Sequence, residues 1–164
     1  MSVSAVNQLR FVAAGQDHPL AEPLLAELTV EYASRYGVAV SAVSEWLRGH
    51  PAEEFAPPDG GLLIGLVDGQ PVTGGAFCRF DAEIAELKRI WTDSRFRKRG
   101  YAKSLLVELE TEIAARGYRR VYLTTGDRQP EAEALYISSG YARLAEPLPA
   151  EGEVFPVAFE KTLR

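Results

Sequence analysis

Between Lys88 and Lys103 the chain sets seven basic residues (Lys88, Arg89, Arg95, Arg97, Lys98, Arg99 and Lys103) against one acid, Asp93. That segment carries +6 in a protein of net charge −5, so the other 148 positions carry −11. An asymmetry of this kind points to one local anionic partner rather than to a surface generally suited to nucleic acid. Immediately afterwards, from Arg99 or Gly100 to Arg116, the apolar residues Ala102, Leu105, Leu106, Leu109 and Ile113 recur at helical spacing, and Gly117 supplies the stop. Arg97, Lys98 and Arg99 thus crowd the end of a helix that is already partially positive, each at a cost of ~0.3–1 kcal/mol. A solvated turn would favour acids there. Free helix N–H groups, a glycine that admits a ligand to the backbone and flanking cations together describe a diphosphate cradle.

The rest of the chain supplies one fold around that helix. Its 164 residues carry no repeat, linker or low-complexity tract, and the Pro/Gly-rich stretch 57–61 is loop-sized, so a single domain over 1–164 is expected. Residues 9–13 read as an opening strand, followed by a helix from about Leu20 to Tyr36 that Gly37 ends. A short helix capped by Ser41 then runs to about Arg48. GLLIGLV and PVTGGAFCRF are strands joined at Asp68-Gly69, a strong hairpin signal, and Glu83 to Thr92 extends the meander. Arg119 to Thr125 reads as a buried strand and Pro130 opens a helix ended by Gly140. Tyr141–Ala145 and Val154–Leu163 are closing strands, with Pro156 marking an edge or a bulge.

Several function classes lack material. No apolar run approaches the ~20 residues that span a bilayer, and the opening residues MSVSAVNQLRF lack a basic-then-apolar leader pattern, so no membrane partner and a cytoplasmic location are expected. Cys78 is the single cysteine, and His18 and His50 sit in no metal-binding spacing, so no metal site is expected. Cys78, inside an apolar strand, reads as a core residue with no catalytic role.

Arg97-Lys98-Arg99-Gly100-Tyr101-Ala102 resembles the Q/R-x-x-G-x-G/A signature of the GNAT (GCN5-related) N-acetyltransferases. Gln129-Pro-Glu-Ala-Glu-Ala-Leu-Tyr136-Ile-Ser-Ser-Gly140-Tyr141 is similar to the family's later N-x-x-A-x-x-L-Y-x-x-x-G-F segment, at the usual distance. Lys98 replaces a common first glycine, Ala102 the last, and Gln129 the common asparagine. The resemblance spans about 62–163. It implies an α/β fold in which a central, mostly antiparallel, splayed sheet of 6–7 strands is flanked by about four helices. It also implies acetyl-CoA as cosubstrate, with the pyrophosphate held by residues 97–102 and Gln129 available for amide hydrogen bonds. The pantetheine arm is implied to lie along the main chain of Ile90, Trp91 and Thr92 as an added strand.

The implied reaction is direct transfer of an acetyl group to a primary amine of a small molecule or peptide. An alkylamine of pKa ~10.4 surrenders its proton at about 4.6 kcal/mol at pH 7, and a carboxylate is the natural acceptor. Glu86 matches the position at which the histone-acetylating branch places its base, with Glu83 and Asp81 as alternates. Tyr136 matches the tyrosine that the family sets beside the thioester sulfur. Donation from a phenol of pKa ~10 to a thiolate of ~8.5 is uphill by about 2 kcal/mol, so hydrogen bonding to the leaving group matters more than full transfer. Trp46, Tyr32 and Tyr36 are candidates for lining an acceptor pocket, with core packing the plainer role. The alternatives are an acyl-CoA sensor without turnover and a nucleic-acid module using the 88–103 stretch. The acidic remainder argues against nucleic acid. Dimers are common in the family, so a homodimer is among the expected states.

Overall fold

The computed structural model describes residues 8–150 and 154–163. Seven strands form one sheet: β1 (Arg10–Ala13), β2 (Gly61–Val67), β3 (Gln70–Arg79), β4 (Ile84–Thr92), β5 (Arg120–Thr125), β6 (Ala142–Arg143) and β7 (Val157–Thr162). Their spatial order is β1-β2-β3-β4-β5-β7-β6, antiparallel throughout except for β4 beside β5. Among the described residues four α-helices flank the sheet: α1 (Glu22–Tyr36), α2 (Val40–Arg48), α3 (Tyr101–Ala115) and α4 (Pro130–Ser138).

Alternation along the strands sorts the side chains into two layers. Leu62, Ile64, Leu66, Ala76 and Cys78 pack with Leu24, Leu28, Val43 and Leu47 of α1 and α2. Leu63, Phe77, Ala85 and Leu87 pack with Leu105, Leu106, Leu109 and Ile113 of α3, and Tyr136 of α4 joins the same layer. The helical stripe seen in the sequence is therefore the face α3 buries. Cys78 is 6% exposed, and burial pushes its thiol up to about 12, as befits a core residue.

The turn chemistry follows the residues. Asp68 and Gly69 have φ of 52° and 77°, the double left-handed conformation of a type I′ hairpin. Gly37 closes α1 at φ 64°. Two local expectations change. Helix α2 starts at Val40 with Ala39 as its cap and no side-chain cap hydrogen bond, so Ser41 lies inside the helix. Pro156 marks neither edge nor bulge: it precedes β7, which lies between β5 and β6, where a missing N–H would break a ladder.

The parallel junction is the break in the sheet. β4 and β5 pair only over Ile84–Glu86 with Arg120–Tyr122, so from Leu87 onward β4 has β3 on one side and no strand on the other. The sheet is splayed there. The N–H and C=O groups of that open edge are available to an extended ligand.

Candidate active site

Opposite the splay, β4 carries a bulge. The β3–β4 register slips between Gly74 and Ala76, and Arg89 adopts φ 61°. Leu87 and Ile90 both face the α3 layer, so the extra residue turns Lys88-Arg89 away from it. The sequence held a signal for this: apolar positions 85 and 87 are followed by 90, a phase slip of one residue. Gly75 makes the slip sterically feasible, because a Cβ there would meet Ile90 Cδ1 at 2.6 Å.

β4 leads through a short 3-10 turn, Ser94–Phe96, into the glycine-bearing loop and α3. Lys98 has φ 63° and Gly100 φ 81°. Lys98 therefore takes up the left-handed conformation that the family's usual glycine accepts more cheaply. None of the N–H groups of residues 97–103 finds a backbone acceptor among the described residues, so Tyr101 and Ala102 open α3 with unsatisfied donors. Free donors at the start of a helix are the arrangement that suits an anion.

The cations divide into two sets. Arg95 is held by Asp93 at 2.9 Å, which keeps that carboxyl below its ordinary range. Arg97 turns back toward α1, with Nη2 3.3 Å from Glu31 and 3.8 Å from Glu27. Its side chain is therefore spent on positioning the loop, while its main-chain N–H stays without a backbone acceptor among the described residues. Glu27 also accepts from the Ser94 N–H at 2.7 Å, so α1 anchors the loop at two points. Lys98, Arg99 and Lys103 make no ion pair among the described residues, and Arg99 lies over the Phe96 ring at 5.1 Å. These anchoring acids were not legible in the sequence, because they lie 66 or more residues away.

Glu86 and Tyr136 belong to opposite layers. Glu86 stands opposite Cys78 of the α1/α2 layer, with Lys88 Nζ 3.7 Å away. Burial raises its carboxyl above the ordinary value, and Lys88 offsets part of that rise. Asp81 is occupied as a turn cap, accepting from the N–H groups of Glu83 and Ile84 at 2.8 and 2.9 Å. Asp81 and Glu83 thus sit at the far end of β4 from the bulge. Tyr136 is 5% exposed, and burial followed by the neighbouring Tyr32 raises its hydroxyl well above the usual phenol range.

A cleft of about 350 Å³ opens at the carboxyl end of β5. Tyr32, Tyr36 and Trp46 line it, together with Phe155, Asp127 and Gln129. The aromatic residues of the first two helices are therefore walls as well as packing: Trp46 is 42% exposed and meets Tyr32 and Phe155 at ring distances of 6.4 and 6.0 Å. Tyr36 lies directly against Gly126, where any Cβ would overlap its hydroxyl, and it accepts from Gln129 Nε2 at 3.3 Å. Ile90, Trp91 and Thr92 lie on the open-edged part of β4. Trp91 is 2% exposed, its side chain in the α1/α2 layer, which leaves its main chain for any ligand. No helix among the described residues is long and apolar enough to cross a membrane.

Comparison with known proteins agrees with this architecture. The family model described as the acetyltransferase (GNAT) family matches residues 25–141. No match is found among curated protein sequences. A GNAT-family acetyltransferase structure from Staphylococcus aureus superposes with a TM-score of 0.79 at 15% identity, covering 96% of this chain and 100% of that one. The PaiA N-acetyltransferase of Thermoplasma acidophilum, solved with coenzyme A, gives 0.72 at 16% identity over 95% and 99%. A GNAT acetyltransferase of Elizabethkingia anophelis with acetyl-CoA bound gives 0.63 at 16% over 94% and 98%. These likenesses establish the fold, and the family model, spanning most of the chain, establishes the kinship: the protein belongs to the GNAT acetyltransferase family.

Proposed function

We propose that the protein is an acetyl-CoA-dependent N-acetyltransferase acting on a primary amine. The observation that carries this is a pair of stretches with free backbone groups, the open edge of β4 and the N–H groups at the start of α3, joined by a turn whose own N–H groups are satisfied within the protein. A pantetheine and a pyrophosphate need that sequence of donors and acceptors. The fold relatives solved with coenzyme A and acetyl-CoA support the same reading. The N–H groups of residues 97–102, with Lys98 and Arg99, would hold the diphosphate; the main chain of Ile90, Trp91 and Thr92 would hold the arm, and Gln129 would add an amide contact.

Acetyl-CoA, when bound, supplies an acetyl group activated as a thioester. The remaining work falls to the chain. Glu86, raised by burial, takes the proton of the acceptor ammonium at its carboxylate, directly or through water. Main-chain N–H groups on the open edge of β4 offer hydrogen bonds to a developing oxyanion. Tyr136, kept protonated by burial, donates a hydrogen bond to the departing sulfur. The amine enters from the α1/α2 side, through the cleft walled by Tyr32, Tyr36 and Trp46.

An assay of thiol release from acetyl-CoA across a broad amine panel tests this reading. Acetylation of at least one amine is expected. Coenzyme A binding without any transfer would leave a sensor, and salt-steep oligonucleotide binding without coenzyme A binding would reverse the assignment. Two variants sharpen it. Tyr136→Phe should lower kcat by roughly 10- to 100-fold, the worth of one hydrogen bond to a charged group, with coenzyme A affinity within about twofold. An unaltered kcat would reduce Tyr136 to packing. Gly126→Ala displaces the Tyr36 hydroxyl and should raise the acceptor KM by about fivefold, as measured by steady-state kinetics.

A further inference from the structure

Of the seven basic residues of the segment, Arg89 alone is buried without an ion pair among the described residues. It is 7% exposed, and its Nε is buried with no hydrogen-bond partner among the described residues. Its guanidinium lies over the rings of Trp46 and Phe55, at 5.4 and 5.5 Å from their centroids. Both contacts lie on the α1/α2 side, where the bulge aims it. The one carboxylate whose charge registers on it, Glu54, is bound to His50 at 2.6 Å. Lys88, its neighbour, is the cation that pairs with Glu86.

A left-handed backbone for a bulky residue and a buried cation without a counter-ion are each unfavourable, and both occur at the same residue. It lies three residues beyond the last β4–β5 pair, Glu86 with Tyr122, at the mouth of the splay. Trp46, which it stacks upon, and Tyr32, whose phenol burial raises to about 12 against a partial offset from the Arg89 charge, both wall the cleft, and Arg89 lies behind that wall rather than in it. A ligand that pairs with this guanidinium would relieve the missing counter-charge without moving any acid of the protein.

Taking the cleft as the acceptor side, as the transferase reading does, we infer that the acceptor is an amine that also carries a carboxylate, which Arg89 binds, on an aromatic or apolar body that packs against the wall formed by Trp46, Tyr32 and Phe155. A guanidinium presents its N–H groups as a planar fork matched to a carboxylate, and stacking on Trp46 fixes the plane of that fork. The same pairing sets the distance between carboxylate and reacting amine, which makes Arg89 a specificity residue.

The test needs no turnover. Calorimetry on the protein loaded with coenzyme A compares 3-phenylpropanoate with its neutral isostere 3-phenylpropanamide. The carboxylate is expected to bind roughly 10- to 100-fold more tightly, and Arg89→Met is expected to bring the ratio close to one. Equal binding of the two probes by the native protein, a comparison that requires no variant, overturns the inference. So does a preference that survives in Arg89→Met. Steady-state kinetics then separates the two layers of the argument. Acetylation of phenethylamine at least as efficiently as phenylalanine would remove the carboxylate site and keep the transferase; a carboxylate preference in binding with no transfer to any amine would remove the transferase and keep the site.

Discussion

Gly100→Val is expected to weaken coenzyme A binding by about 100-fold while the sheet remains folded. Gly100 caps α3 at φ 81°, and beyond its two chain neighbours no described atom lies within 4 Å of where its Cβ would be. The side chain itself has room. The backbone does not: a left-handed conformation costs an L-residue roughly 1–2 kcal/mol, and a β-branched one is penalised further. The loop relaxes toward negative φ, and the N–H groups of residues 97–103 cease to converge. Losing one or two charge-assisted hydrogen bonds at ~1.5–3 kcal/mol each gives the stated factor. Titration calorimetry with coenzyme A measures it. The melting temperature should fall by only a few degrees, because the strain is confined to an exposed cap. An affinity unchanged from the native protein would mean that the diphosphate lies elsewhere.

The sequence made this cap visible because everything that defines it is local. Gly100, the cations beside it and the stripe Leu105, Leu106, Leu109, Ile113 lie within one short stretch, and the stripe is the face α3 buries. The Asp68-Gly69 turn was legible for the same reason. What escaped depends on register or on distant partners. Whether Arg97 faces a phosphate or Glu31 is decided by α1, more than 60 residues away. Arg89 reads as one more cation until β3 is laid beside β4 and the bulge turns it toward Trp46. Ser41 and Pro156 misled because residue preferences are weak evidence where neighbouring structure dictates the start of an element. The cleft required α1, α2 and the β6–β7 connection to meet, a tertiary fact to which residue type is nearly silent.

Glu86→Gln should separate activity from stability in opposite directions. A general base in the role proposed for Glu86 contributes about 10²–10³ in kcat, so the variant should lose that much at neutral pH. The native kcat/KM profile should show an acidic limb lying above the ordinary carboxylate range, because burial raises the Glu86 pKa; the limb should vanish in the variant. The effect on stability has the other sign. A carboxyl whose folded pKa exceeds its unfolded one binds more protons in the native state, so its contribution to stability declines as pH rises through that interval. At neutral pH the native protein therefore carries a buried, partly compensated carboxylate at a net loss, and the amide removes it. Glu86→Gln should melt at a higher temperature than the native protein at pH 7, with the difference shrinking as pH falls through the folded pKa of Glu86. A variant that is slower and more stable is what a base held in an unfavourable environment for its chemistry predicts. An unchanged rate with the acidic limb intact would instead assign the proton to water, and the burial of Glu86 would then be a matter of pairing with Lys88 alone.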